Sequence, residues 1–199
     1  RYVSFQSEAS NFFPGDGSDK DVFVKDLYSG TLVRATTLAN GSAPTSPELA
    51  FATTALRSSL SADGRYVAFA TYRTLAPGDT NGRVDVYVKD LATGALDLVS
   101  SNSADQPGDN HSQFPALSAD GRHVAYNSTA GNLVPDFTPN ATSNRVFVKD
   151  RLTRASTLAS ATANGVAADG TCNDFPAISA DGRVVAFQCS STNLPSNGW

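Results

Sequence analysis

The stretch "GDTNGRVD" (Gly78–Asp85) sets Asp79, Asn81 and Asp85 close together around Gly82. Calcium takes several oxygen ligands from a tight loop, and alternating Asp and Asn beside a glycine supplies them. An earlier stretch, "GDGSDKD" (Gly15–Asp21), carries Asp16, Asp19 and Asp21 in a similar arrangement. Both are candidate calcium loops, although the later bidentate acidic ligand of an EF-hand is missing. A third version, "DFTPNATSNR" (Asp136–Arg145), puts Arg145 where Asp85 sits, and a cation there should exclude a metal. The competing reading is a set of Asx-type turns, in which Asp and Asn oxygens accept from nearby backbone N–H groups.

Cys172 and Cys189 flank "CNDFPAISADGRVVAFQC". A regular hairpin about Asp181-Gly182 places Cys189 opposite Asp174 and leaves Cys172 two positions further along. Such a diagonal pair is about 7–8 Å apart at Cβ, too far for a disulfide. The Asp/Gly/Asn-rich approach to Pro176 can bend inward, however, so a Cys172–Cys189 disulfide is expected, with an oxidising compartment. Two buried free thiols are the alternative. Other chemistry finds little support. Only two histidines exist: His123 falls at a position held elsewhere by Tyr66 and Val184 and reads as packing, and His111 reads as a surface residue. No Gly-x-Ser-x-Gly elbow, zinc spacing or phosphate-cradling loop appears.

The elements that would position these residues repeat. "SADGRYVAF" (Ser61–Phe69) returns as "SADGRHVAY" (Ser118–Tyr126) and "SADGRVVAF" (Ser179–Phe187), and the chain opens on "RYVSF". Arg1, Arg65, Arg122 and Arg183 are spaced 64, 57 and 61 residues. A second phrase follows each of the first three: "DVFVKDLYSG", "DVYVKDLATG" and "RVFVKDRLTR". Each unit reads as four short strands. In the third, "FPALS" leads through an Asp120-Gly121 turn into "RHVAYNS", then "RVFVKD", then "ASTLAS". Asp26, Asp90 and Asp150 are expected to cap the turns after the third strands, and Arg154, standing in place of a glycine, should make its turn different. In "RYVAFAT", Val67 and Phe69 point to one face and Tyr66, Ala68 and Ala70 to the other. Both faces are apolar or small, as in a strand covered on both sides.

A four-stranded unit of this period predicts an all-β fold of β-propeller blades, with a β-sandwich as the competitor. "SADGRYVAF" followed by "DVYVKDLATG" resembles the TolB-type, WD-like propeller repeat over nearly the whole chain. Residues 1–199 form one propeller region, with units of about 1–64, 65–121 and 122–182 and the start of a fourth at 183–199. About three and a third repeats are visible: strands two to four of one blade, two whole blades, and strands one and two of another. Three blades do not close a ring, so either the chain is a segment of a longer one, the preferred reading, or several chains complete the ring together.

Bulk properties narrow the function. Fifteen basic residues against nineteen acidic ones, with a formal net charge of −4, give no basic footprint for nucleic acid. No apolar run reaches the length of a membrane span. The resemblance implies a secreted or periplasmic bacterial scaffold. The expectation is a non-enzymatic extracytoplasmic module that binds a protein or ligand through its loops, with protein partners or self-association and calcium as the one cofactor considered. Two alternatives stand beside it: the propeller part of a larger secreted enzyme such as a peptidase, and a structural subunit whose partial propellers self-assemble.

Overall fold

The computed structural model describes residues 1–13, 20–44, 57–135, 143–173 and 175–194, and the regular elements among them are all strands. β1 (Tyr2–Ser7), β2 (Asp21–Asp26) and β3 (Leu32–Arg34) form a three-stranded antiparallel sheet. β4 (Ser58–Leu60), β5 (Tyr66–Thr71), β6 (Asp85–Asp90) and β7 (Leu96–Leu98) form a four-stranded one in chain order. β8 (Ser112–Leu117), β9 (His123–Ser128), β10 (Arg145–Asp150) and β11 (Ser156–Leu158) form another. β12 (Ala177–Ile178) and β13 (Val185–Ala186) pair as a two-stranded sheet. This is the expected series of propeller blades, and the propeller is incomplete. The first strands of successive sheets, β4, β8 and β12, lie side by side.

The two apolar faces of the second strand are buried as the alternation requires. Val67 and Phe69 pack with Val22 and Val24 of the preceding sheet. Ala68 and Ala70 pack with Val124 and Tyr126 of the following one. In the three larger sheets an aromatic pair crosses between the second and third strands of the blade: Phe5–Phe23, Phe69–Tyr87 and Tyr126–Phe147, with ring centroids 5.7, 6.2 and 6.1 Å apart. Such stacking adds to the burial of the rings themselves.

The repeated phrase is a blade corner and an inter-blade joint at once. Ser61 Oγ donates to Asp63 Oδ1, which also accepts from the Arg65 N–H, closing the turn. Gly121 takes a φ of 74°, and a Cβ there would overlap the Tyr66 ring of the previous blade. Gly64 receives Tyr2, and Gly182 receives His123, in the same way. His123 is thus a packing residue, as its place in the repeat predicts. Turn backbones also join one another, Ala62 N–H to Ala119 O and Ala119 N–H to Ala180 O, both at 2.9 Å.

Asp26, Asp90 and Asp150 do cap their turns, each accepting from a backbone N–H two residues on at 2.9 Å. Each is also gripped by the arginine that precedes its second strand, Arg1, Arg65 or Arg122, at 2.7–2.8 Å. The expectation of a different turn at Arg154 is corrected. Arg154 takes a φ of 63°, close to the 78° and 79° of Gly30 and Gly94. A left-handed conformation is unfavourable for a side chain, and here Asp97 and Asp105 hold that side chain at 2.7 and 2.6 Å.

Two lysines cross between blades. Lys89, on β6, donates to the carbonyls of Thr37 and Leu38 at 3.1 and 2.7 Å. Lys149, on β10, meets Ser101 O and Asn102 O at 2.9 and 2.8 Å. Both ammonium groups are buried, and burial pushes Lys149 down to about 8. The equivalent Lys25 instead turns to Gly30 O in its own sheet.

Candidate functional site

Asp79, Asn81 and Asp85 come together at the start of β6, but they bond to their surroundings and to one another. Asp85 is fully buried; it accepts from Ser100 Oγ at 2.6 Å and from Asn81 Nδ2 at 2.8 Å. Asn81 Nδ2 also donates to Gly108 O at 2.8 Å, and its Oδ1 accepts the Arg83 N–H at 2.7 Å. Asp79 accepts from the Tyr87 hydroxyl. Asn81 therefore presents N–H groups, not an oxygen, to the carboxylate with which it would have to share a cation. No group of three or more His, Cys, Asp or Glu suited to a metal occurs among the described residues. Burial pushes the Asp85 carboxyl up to about 7 against the pull of its two donors, and raises Asp79 as well.

The first version of the loop diverges further. Asp16 and Asp19 lie outside the described residues. Asp21 accepts from Thr36 Oγ1 as Asp85 does from Ser100, and the buried Arg73 guanidinium sits 2.8 Å from it, with Arg34 at 3.5 Å. Two guanidinium charges at that carboxylate oppose a dication; in this fold Asp21 pairs with arginine. In the third sheet Arg145 takes the place of the aspartate and donates to Asn144 O and Gly170 O.

Cys172 and Cys189 form a disulfide with Cα atoms 4.1 Å apart. The diagonal geometry of a regular hairpin does not apply, and the preceding blade shows a related, smaller departure from regular register. There β8 and β9 shift register between Gln113 and Ala116, which brings Ser112 directly opposite Ser128. Their hydroxyls bond at 2.9 Å. Cys172 occupies the place of Ser112: its N–H donates to Asn144 O as that of Ser112 donates to Val84 O. The disulfide thus replaces a serine–serine hydrogen bond. His111, next to Ser112, is half-buried rather than a plain surface residue; its Nδ1 accepts the Val84 N–H at 3.0 Å and burial lowers its pKa.

The register shift creates the arrangement that the sequence reading missed. Arg57, Phe114 and Phe175 each stand four residues before the serine of the repeated corner, Ser61, Ser118 and Ser179. The fold brings these three equivalent positions together along the adjoining first strands. The Arg57 guanidinium lies over the Phe175 ring, Cζ 3.4 Å from its centroid. Phe114 meets the same ring edge-on, with centroids 4.6 Å apart. Phe114 itself sits at the bulge with a φ of 58°, an outlier for a bulky residue, while Phe175 remains 45% exposed. Backbone strain of the kind seen at Phe114 clusters at functional sites, and the exposed Phe175 ring lies against it. The signal available in sequence was disagreement: the corner repeats, whereas the position four residues upstream reads Arg, Phe, Phe.

No family model matches the sequence, and no curated protein matches it. Among solved structures, TolB from Acinetobacter baumannii superposes with a TM-score of 0.52 at 16% identity, over 99% of this chain and 36% of that one. The putative TolB from Agrobacterium tumefaciens aligns with a TM-score of 0.43 at 17% identity, over 78% of this chain and 48% of that one. The chain thus spans about a third of the Acinetobacter protein's length, and at this identity the likeness shows the fold: a TolB-type β-propeller.

Proposed function

We propose that the chain belongs to a non-enzymatic, extracytoplasmic propeller module that binds a protein partner along its first strands. The observation that carries this reading is the meeting of Arg57, Phe114 and Phe175, three non-identical residues at one repeat position, around an exposed ring. The repeated Ser, Asp and Gly residues are consumed in corners, and Arg1, Arg65 and Arg122 in forks, so binding falls to positions where the copies differ. The disulfide supports an oxidising compartment, secreted or periplasmic.

Selection of a displayed random-peptide library on the folded chain tests the site. The expected result is a set of binders whose affinity falls at least tenfold on Phe175→Ala and is unchanged on Tyr28→Ala, an exposed residue at the far turn. Peptides indifferent to Phe175→Ala, or sensitive only to Tyr28→Ala, would place recognition elsewhere.

A further inference from the structure

Taking the first-strand site as the binding surface, we infer that its ligand carries a carboxylate next to an apolar group. Arg57 differs from three of the arginines at the blade corners. Arg1, Arg65 and Arg122 each close a fork on an aspartate, whereas Arg57 has no carboxylate partner among the described residues. Its guanidinium is stacked face-on against Phe175 instead. Stacking through the face satisfies the cation–π attraction but leaves the in-plane N–H groups unpaired. Those N–H groups form the planar fork that a carboxylate accepts in bidentate fashion.

The two phenylalanines supply the other half of the recognition. Phe175 is held under Arg57 by the edge-on Phe114 ring, so guanidinium and aromatic surface stay side by side rather than moving independently. Phe114 reaches that place only through the bulge and its left-handed backbone. A ligand that puts its charge on the Arg57 edge lays its neighbouring apolar group against exposed Phe175. A chain terminus ending in an apolar residue and an acidic side chain beside one both meet this description.

Three probes separate these cases, each titrated into the folded chain and followed by amide shifts in NMR. N-acetyl-phenylalanine offers a terminal carboxylate, N-acetyl-aspartyl-phenylalaninamide a side-chain carboxylate, and N-acetyl-phenylalaninamide the ring alone. The expected result is saturable shifts at Arg57, Phe114 and Phe175 with one or both charged probes, and at least tenfold weaker binding of the uncharged one. Arg57→Gln should reduce the charged probes to the level of the uncharged one without changing the melting temperature, and Arg57→Lys should restore part of the difference. Phe114→Gly, which relieves the strained backbone and removes the edge-on ring, should weaken binding while the chain stays folded. Equal binding of charged and uncharged probes, or retention of the difference in Arg57→Gln, overturns the carboxylate assignment. If no probe binds while library peptides still depend on Phe175, the site stands and the ligand chemistry falls; if those peptides ignore Phe175, the site falls as well.

Discussion

Asp85 and Asp90 stand at opposite ends of β6 and titrate in opposite directions. Asp90 is held at about 2, chiefly by the Arg65 fork. Its contribution to stability is present above the ordinary carboxylate value and is lost as the pH falls toward 2. Asp85 is pushed up to about 7 by burial. Between its ordinary value and 7 the unfolded chain has released a proton that the folded chain keeps, so stability declines as the pH rises through that window. Three pH units correspond to a decline of about 4 kcal/mol at most. Asp85→Asn removes the titrating group and keeps the shape. Melting temperatures from pH 4 to 8 should show wild type losing ground steadily against Asp85→Asn, levelling off above pH 7. Parallel curves would mean that Asp85 is ionised in the folded protein throughout.

At the scale of the hairpin, the same pairing is made by hydroxyls in one blade and by sulfur in the next. Replacing Cys172 and Cys189 together by serine should reproduce the Ser112–Ser128 arrangement and leave the fold intact. The loss is the constraint on the unfolded chain, about 3 kcal/mol for a separation of this length. Chemical denaturation of the double variant and of the reduced wild type should give similar shifts; collapse of the double variant would assign the disulfide a larger structural role. The strand order, the Asp-Gly corners and the two buried faces of "RYVAFAT" were legible because each follows from local chemistry repeated several times. The bulge was not, because no residue type announces a left-handed phenylalanine. Missing it hid the approach of Phe114 to Phe175, whereas the Cys172–Cys189 disulfide was expected from the bend-prone approach to Pro176 and is formed. Arg154 misled in the opposite sense: glycine is the easy occupant of that turn, and two aspartates from the neighbouring blade hold an arginine in it. For Asp21, Asp79 and Asp85, composition does not say whether a carboxylate faces a metal, an amide or an arginine.

For the molecule as a whole, the lysines make blades interdependent. Lys89→Met keeps the aliphatic stem and strands Thr37 O without its donor, while Leu38 O keeps the Gly41 N–H; the orphaned carbonyl costs about 2 kcal/mol. Lys25→Met removes a lysine that stays within its own sheet and should change stability by less than about 0.5 kcal/mol. Hydrogen exchange should report faster opening of both the Thr37–Leu38 stretch and β6 in the first variant, and of neither in the second. Equal effects would show that the buried ammonium merely fills space. The lysine recurs in every "VKD" phrase, yet the partners of Lys89 and Lys149 lie in the previous unit and that of Lys25 in its own, so no single unit reveals the role.

That dependence has a direction. The carbonyls at Thr37 and Leu38 are made some fifty residues before the lysine that fills them, and those at Ser101 and Asn102 likewise precede Lys149. During synthesis from the N-terminus, the first two blades therefore emerge with a carbonyl pair that the third strand of the next blade completes. Assembly on the ribosome runs one blade behind elongation, and a pause after a second strand leaves the preceding blade, not only the nascent one, unsealed.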